Sequence, residues 1–423
     1  MDNEPQSRVS RSARQTKAPR APKPGGRQHK VRNIIMTVIA VLGIFSGVAG
    51  ATVWHRAKSS IDDTYKAAGI NKQRDVAQVL KDGKPFSVLL LGTDTGELGR
   101  DYRGRTDSIM VMTVNPKKQA VTLMSIPRDT VISVVGFEDS FPQKMNAAYE
   151  DGETAATLKT VQTWLNIPID FYALVNMRGL KEVVDEIGGV SVVSPLSFDN
   201  NPDMEDHVTP GNYYSFTKGS DEFGYSTSDS APSIHATVDD TPAVRLQAIK
   251  DSGLFKMSTN MDGNAALAFS RMRYDDPLGD YGRTQRQRLV LEAIMHKAKS
   301  SPTSLVNEKF FKTVGSNAQT DLTFGDMMTI VQKYTKAAND IKTDHAQGTS
   351  IMIAGGSYEH VERGEQQRVT DVLRKALGLK AETTGPLYAG EVSDADVAAL
   401  GLTSQTYEES QMSATTSSDT SGQ

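Results

Sequence analysis

A layered α/β fold, with a mixed central sheet flanked by helices, is what the sequence predicts for the bulk of this chain. Three observations carry that expectation. Residues 86–93, FSVLLLGT, form a short apolar run closed by glycine, as a strand covered on both faces requires. Two stretches rich in apolar and β-branched residues follow at 108–116 and 119–127, joined by a turn at 115–118, and read as a hairpin. Helical and strand patterns then alternate: helix 154–166, strand 170–175, helix 178–187 stopped by Gly188 and Gly189, and strand 190–193. Alternation of this kind builds a layered α/β domain.

From the N-terminus, residues 1–32 are rich in Pro, Arg, Ser and Gly with almost nothing to bury, and are expected to be disordered. Residues 33–54, NIIMTVIAVLGIFSGVAGATVW, carry no charge over a length that crosses a hydrocarbon core, so a single transmembrane helix is expected there. Gly43, Gly47 and Gly50 lie within it, although glycine is common in membrane helices. Nine Lys or Arg precede the segment against only Asp2 and Glu4, which places the N-terminus in the cytoplasm and the following domain outside. A cleaved signal peptide is the alternative, but its apolar core is normally shorter and followed by a small-x-small site. The formal net charge is −4 despite this basic start, so the outer portion is acidic. That balance argues against nucleic acid as a partner and suits a basic tail lying against anionic membrane lipid.

Residues 55–83 read as a charged, partly helical stalk, and 84–380 as the domain proper. Periodicity fades at about 199–260, where Ser, Thr, Asp, Gly and Asn dominate, so a polar surface insertion is expected. A helical pattern returns at 264–273, followed by a Gly/Asp/Pro loop and a strong helix over 283–299. Helix, strand and helix signals recur at 324–340, 350–353 and 365–377, and 381–423 reads as an unfolded polar tail. With no cysteine, a disulfide framework, a thiol nucleophile and a Cys-type zinc site are all excluded.

Two clusters of arginine and aspartate carry the chemistry. The first holds Asp94, Arg105, Asp107, Arg128 and Asp129; the second holds Arg271, Arg273, Asp280, Arg283, Arg286 and Arg288. Five arginines and no lysine stand between 271 and 288. Guanidinium is a planar, permanently charged fork that grips phosphate oxygens in pairs, whereas ammonium is a mobile point charge. Arg283, Arg286 and Gln287 fall at helical spacing on the first turn of the expected helix, where cations oppose the macrodipole unless an anion sits among them. Asp94, in the loop after a buried strand, is a candidate metal ligand or base, or else supports a turn. Asp107 opens the next strand, and paired carboxylates of this kind suit Mg²⁺. The plainer alternatives are surface ion pairs for Arg105 and Asp107, a structural salt bridge for Arg128 and Asp129, and neutralisation of the helix start by Asp280. Together the clusters point to a diphosphate site with acid/base or metal chemistry beside it. No histidine pattern, GxSxG or Walker-type loop accompanies them.

The motifs VLLLGTD, GRTDSIMVMTVNP, LMSIPRD, KMNAAYEDG, IPIDFYALVNMRGL, VDEIGGVSV, ALAFSRMR and GDYGRTQRQ, taken in order, resemble the LytR-CpsA-Psr family of bacterial cell-envelope proteins. The likeness spans roughly 86–300 and, more weakly, extends to about 379. It implies a single-pass membrane protein whose extracytoplasmic domain moves a glycopolymer from a polyprenyl-diphosphate carrier onto peptidoglycan with Mg²⁺. It further implies that Asp94 and Asp107 are metal-associated, that Arg128 contacts the diphosphate, and that Arg271, Arg273, Asp280, Arg283, Arg286 and Gln287 complete the binding set. The sequence departs from the family pattern at Gly96, where an arginine is usual, and in its long polar insertion. A diphosphatase using water at the same site is the alternative enzyme. A non-catalytic envelope-binding or regulatory protein is the alternative from another class.

Overall fold

The computed structural model describes residues 65–93, 104–200, 213–226, 251, 253, 255–273, 276–300, 317–334, 337 and 340–402. The expected basic tail, the transmembrane segment and Asp94 lie outside these residues. Among the described residues no helix is long and apolar enough to cross a membrane.

In chain order the elements begin with α1 Val76–Lys81, β1 Phe86–Thr93, β2 Thr106–Asn115 and β3 Ala120–Ile126. The short strands β4 Val131–Ile132 and β5 Gln143–Lys144 lead to α2 Ala147–Leu165, β6 Phe171–Asn176 and α3 Met177–Glu186. Next come β7 Phe198–Asn200, β8 Tyr214–Phe216, β9 Phe223–Ser226, β10 Phe255–Ser258, α4 Gly263–Arg271 and α5 Asp280–Ser300. The last group is β11 Ala318–Thr320, α6 Phe324–Tyr334, β12 Asp340–His345, β13 Thr349–Ile353, β14 Gly356–His360, α7 Arg363–Leu377 and α8 Asp394–Ala399.

Six strands form the central sheet in the order β11-β6-β1-β2-β3-β12. Three pairings are antiparallel (β1 with β2, β2 with β3, β6 with β11) and two are parallel (β1 with β6, β3 with β12), which is the expected mixed sheet. Successive side chains on a strand face opposite ways, and the core divides accordingly. Val88, Met112, Leu123 and Phe171 face a layer built from α1, α3, α4, α5 and α6. Leu89, Val111, Met124 and Tyr172 face the other layer, formed by α2 and α7. Because both faces are covered, the strands lack the polar alternation of a half-exposed sheet.

The structure corrects the expected organisation in several places. The stalk is not one along its described length: Lys66 donates its N–H to Thr320 O at 2.9 Å, and Ala68 and Leu80 are buried. Arg74 and Lys72 neutralise the buried carboxylates of Asp170 and Asp321, so this segment is bound into the domain by charges too costly to leave unpaired. Residues 381–402 are likewise ordered rather than a tail. Trp164 Nε1 donates to Leu387 O at 3.1 Å, and Tyr388, Ala389 and Val397 are buried. Part of the polar insertion forms a second, antiparallel sheet in the order β10-β9-β8-β7. Phe198, Phe216 and Phe223 of that sheet stack together and pack on Phe269, so a few aromatics spaced among polar residues suffice to anchor it. A ring needs close access there: a Cβ on Gly224 would lie 1.7 Å from Phe255 Cζ. Residues 201–212 and 227–250 of the insertion lie outside the described residues.

The strand expected at 190–193 is reduced to one bridge between Val190 and Met261, with Val193 58% exposed, because the chain turns through the positive-φ pair Gly188–Gly189 just before it. Helix α6 ends at Tyr334, and Asp340–His345 is a strand instead of a helix end. Helix α5 starts at Asp280, three residues earlier than expected, and α2 starts at Ala147 with a break at Gly152 and Glu153.

Candidate functional site

Three chain segments meet at one end of the central sheet. Strand β3 ends at Ile126, and Pro127, having no N–H to donate, stops ladder pairing and releases Arg128 and Asp129 from the sheet. The antiparallel register that sets Ile109 opposite Ile126 brings Asp107, at the start of β2, beside Arg128. The third segment is the first turn of α5, which supplies Asp280 and Arg283.

Arg128 Nη1 donates to Asp107 Oδ1, while Arg128 Nε lies 3.4 Å from Asp280 Oδ1 and 3.5 Å from Asp129 Oδ2. Arg283 Nη2 lies 2.6 Å from the same Asp280 oxygen and donates to the backbone carbonyl of Asp107 at 3.2 Å. Arg273 Nε approaches Asp280 Oδ1 at 3.9 Å, and Lys144 Nζ holds Asp129 Oδ1 at 2.8 Å. One carboxylate oxygen thus faces three guanidinium groups. Asp280 Oδ1, Arg128 Nε and Arg283 Nε are all buried atoms without a hydrogen bond of good geometry. A cluster left incompletely satisfied in this way is expensive to maintain without a ligand.

Burial works against the charge on Arg128, but the carboxylates of Asp280, Asp107 and Asp129 outweigh it and hold the proton more firmly than usual. Burial prevails at Arg283, which is pushed below the ordinary arginine range although Asp280 opposes the shift; repulsion from Arg128 and Arg273 adds to it.

An apolar cavity of about 120 Å³ lies between the central sheet and helices α3 and α5. Leu90, Met110, Val175, Leu180 and Leu291 line it, with Ser108 and Gln287 among its few polar side chains. Ser108 follows Asp107 directly, and Gln287 lies one turn beyond Arg283. The cavity is therefore near the cluster along the chain, one residue past Asp107 and one turn past Arg283, although no side chain of the cluster lines it.

Other expected site residues lie elsewhere. Arg286 does not join the cluster: its guanidinium is fully buried and pairs with Asp276 while donating to Phe269 O at 2.9 Å and to Met272 O. Its donors are consumed by neighbouring groups, so it fixes the turn between α4 and α5. Arg105 forms an exposed ion pair with Glu150. Arg271 closes α4, half-buried, and Arg288 donates to Ser125 Oγ at 2.8 Å. Gln287 lines the cavity, with its Oε1 buried and unpaired. Lys144, Asp276, Tyr281 and Glu359 were not singled out from the sequence. Lys144 stands in the KMNAAYEDG motif and Tyr281 in GDYGRTQRQ, but none of the four carries a spacing signal of its own.

Asp107 is the described member of the expected metal pair. It is a partly exposed carboxylate, the hard oxygen donor that magnesium takes. Among the described residues no three His, Asp or Glu side chains come close enough to form a metal site.

A sequence profile of the LytR_cpsA_psr family matches residues 51–375. A polyisoprenyl-teichoic acid–peptidoglycan teichoic acid transferase, TagU, of Enterococcus faecalis is 35% identical over 351 residues, covering 83% of this chain and 98% of the relative. Its namesake in Bacillus subtilis is 30% identical over 354 residues, covering 83% and 98%. The crystal structure of protein gbs0355 from Streptococcus agalactiae superposes with a TM-score of 0.59 at 27% identity, covering 78% of this chain and 98% of that one. With the profile spanning most of the chain and relatives aligned along nearly their whole length, the protein belongs to the LytR_cpsA_psr family.

Proposed function

We propose that this protein is a phosphotransferase that moves a glycopolymer from a polyprenyl-diphosphate carrier to a sugar hydroxyl of peptidoglycan. The observation that carries the reading is the meeting of Arg128 and Arg283 on Asp107 and Asp280 beside an apolar cavity. Charge alone suits any phosphate, and an apolar slot alone suits any lipid. The two side by side suit a diphosphate carried on an isoprenoid chain. The names of the relatives point to the same class of donor and acceptor, with a teichoic acid-like polymer as the cargo.

In this reaction the acceptor oxygen attacks the glycan-side phosphorus, the bridging P–O bond breaks, and polyprenyl phosphate leaves with the electron pair. Arg128 and Arg283 orient the diphosphate and neutralise the charge that develops on its oxygens, which is the main demand of phosphoryl transfer. Asp280 positions both guanidinium groups. Asp107, with Asp94, would hold Mg²⁺, which supplies further charge neutralisation when bound. The reaction takes place outside the cytoplasmic membrane, with residues 33–54 as anchor and the basic N-terminus against anionic membrane lipid on the cytoplasmic side; nucleic acid has no part in it.

The test uses the full-length protein in lipid vesicles with a synthetic polyprenyl-diphosphate disaccharide and uncross-linked peptidoglycan. Mass spectrometry is expected to find the sugar phosphate covalently attached to peptidoglycan. Release of free sugar phosphate without attachment would assign the protein as a diphosphatase instead, and wild-type rates in Arg128→Ala would overturn the assigned site.

A further inference from the structure

Helix α5 presents one stripe, Asp280, Thr284, Gln287 and Leu291, along the end of the sheet. Gln287 and Leu291 line the apolar cavity, whereas Asp280 and Thr284 line a second, polar pocket of about 20 Å³. That volume accommodates one hydroxyl group or one water. The remaining walls of the small pocket include Asp129, Tyr281, His345 and Glu359. The two cavities thus lie along the same helix stripe, with Arg283 between Asp280 and Gln287 in sequence, and Asp280 joins the small pocket to the arginine cluster.

Resting on the transferase reading, we propose that the small pocket receives the acceptor hydroxyl and that Glu359 accepts its proton. Three carboxylates border the pocket, and their partners set them apart. Asp129 is held by Lys144 and Arg128, and Asp280 by Arg128, Arg273 and Arg283. Among the described residues no cation lies within ion-pair distance of Glu359. A carboxylate fixed by several cations is a poor proton acceptor at neutral pH. One left with a neutral partner is a better one. Burial raises the Glu359 carboxyl above the usual range, with Asp129 and Asp280 adding to the effect and the Tyr281 hydroxyl restraining it.

Glu359 is also held in place. Its Oε2 accepts from Tyr281 Oη at 3.1 Å, Tyr281 Oη accepts from Gly348 N at 2.7 Å, and Glu359 N donates to the Asp129 carbonyl at 2.8 Å. A Cβ on Gly348 would lie 2.9 Å from Glu359 Oε2, so the absence of a side chain there leaves the carboxylate its position. His345 packs edge-on against Tyr281, and its charged form is disfavoured first by burial and then by Arg288. Lys144 approaches from β5 but is engaged by Asp129, and His360 follows on the same strand, its charged form disfavoured by burial. In the step itself, the acceptor oxygen bonds to the glycan-side phosphorus, its proton passes to a Glu359 oxygen, and the P–O–P electron pair departs on polyprenyl phosphate.

The experiment compares wild type, Glu359→Gln and Tyr281→Phe in the vesicle assay, measuring transfer against pH and, separately, binding of polyprenyl diphosphate alone. Transfer by the wild type is expected to fall as pH drops through the Glu359 titration, since the protonated carboxyl accepts nothing. Glu359→Gln should lose at least about a hundredfold in kcat and lose this acidic limb, with lipid binding unchanged. Tyr281→Phe removes a hydrogen bond that favours the charged carboxylate, so its limb should move to higher pH. If Glu359→Gln transfers at the wild-type rate with the same limb, the assignment of Glu359 is wrong while the transferase reading stands. If the wild type binds the lipid but attaches nothing to peptidoglycan, both fall.

Discussion

Arg283 and Arg286 stand three residues apart on α5, both nearly buried and each beside an aspartate, yet their surroundings differ in kind. Arg286 has a complete set of local partners: Asp276, two backbone carbonyls, and the Phe198 ring 5.3 Å beneath it. Room for that arrangement comes from Gly282, where a Cβ would lie 1.8 Å from Asp276 Oδ2. Arg283 shares its carboxylate with Arg128 and Arg273 and keeps a buried Nε unpaired. Burial and an acidic neighbour therefore do not distinguish a binding arginine from a structural one. What distinguishes them is whether nearby groups already use every donor. The first arrangement is electrically closed; the second retains cationic character that an anion can complete.

The largest effects expected follow from that contrast. Arg286→Ala leaves the Asp276 carboxylate buried without its cation and should lower unfolding stability by about 3–5 kcal/mol, read by denaturant titration. On the proposed reaction, Arg283→Ala should instead cost about a thousandfold in transfer, since it would remove charge from the diphosphate. Its stability should change little, because Asp280 retains Arg128 and the repulsion among three guanidinium groups is relieved. Were the two variants to exchange these outcomes, the division between structural and binding arginine would be reversed.

Much of this was legible in the sequence where the signal was periodic. The FSVLLLGT run, the hairpin after it and the alternation that follows give five elements of the fold within a residue or a few of their bounds, because doubly covered strands must be continuously apolar. The convergence of Arg128 with Arg283 was expected from the two arginine and aspartate clusters together with the family motifs that hold them. The separation of Arg286 from Arg283 was not, because it depends on where the 272–276 turn places Asp276, a tertiary fact with no local period. Glu359 was hidden for the same reason: it is one glutamate in a short, separate hairpin, given meaning by Tyr281 from a helix distant in sequence. The small sheet at 198–258 escaped notice because four strands of three or four residues leave no alternation to detect amid polar composition.

Intermediate effects sharpen the comparison along the same helix. Gly282→Ala intrudes on Asp276 and should destabilise by about 1–3 kcal/mol while lowering activity only in proportion to unfolded protein. A specific loss of kcat at full folding would show that Gly282 serves the site rather than the buried pair. Gln287→Leu removes a buried, unpaired amide oxygen from an apolar wall and should raise stability by about 1 kcal/mol, read as a higher melting midpoint without ligand. A lower midpoint would mean that the oxygen has a partner that matters to the fold.

The smallest expected effect concerns Arg105, grouped with the site by sequence and set apart from it by structure. Its partner is Glu150, the pair is about half exposed, and solvent screens such contacts, so Arg105→Ala should change stability by less than about 0.5 kcal/mol. Transfer should stay within a factor of about two, because no described contact joins Arg105 to Asp107, Asp280 or Arg283. A loss approaching that of Arg283→Ala would require Arg105 to leave Glu150 and reach the diphosphate during turnover. In that event Glu150→Ala, which frees Arg105 from its surface partner, should raise transfer rather than leave it unchanged, and the pair of variants together decides whether Arg105 belongs with the closed arrangement or the open one.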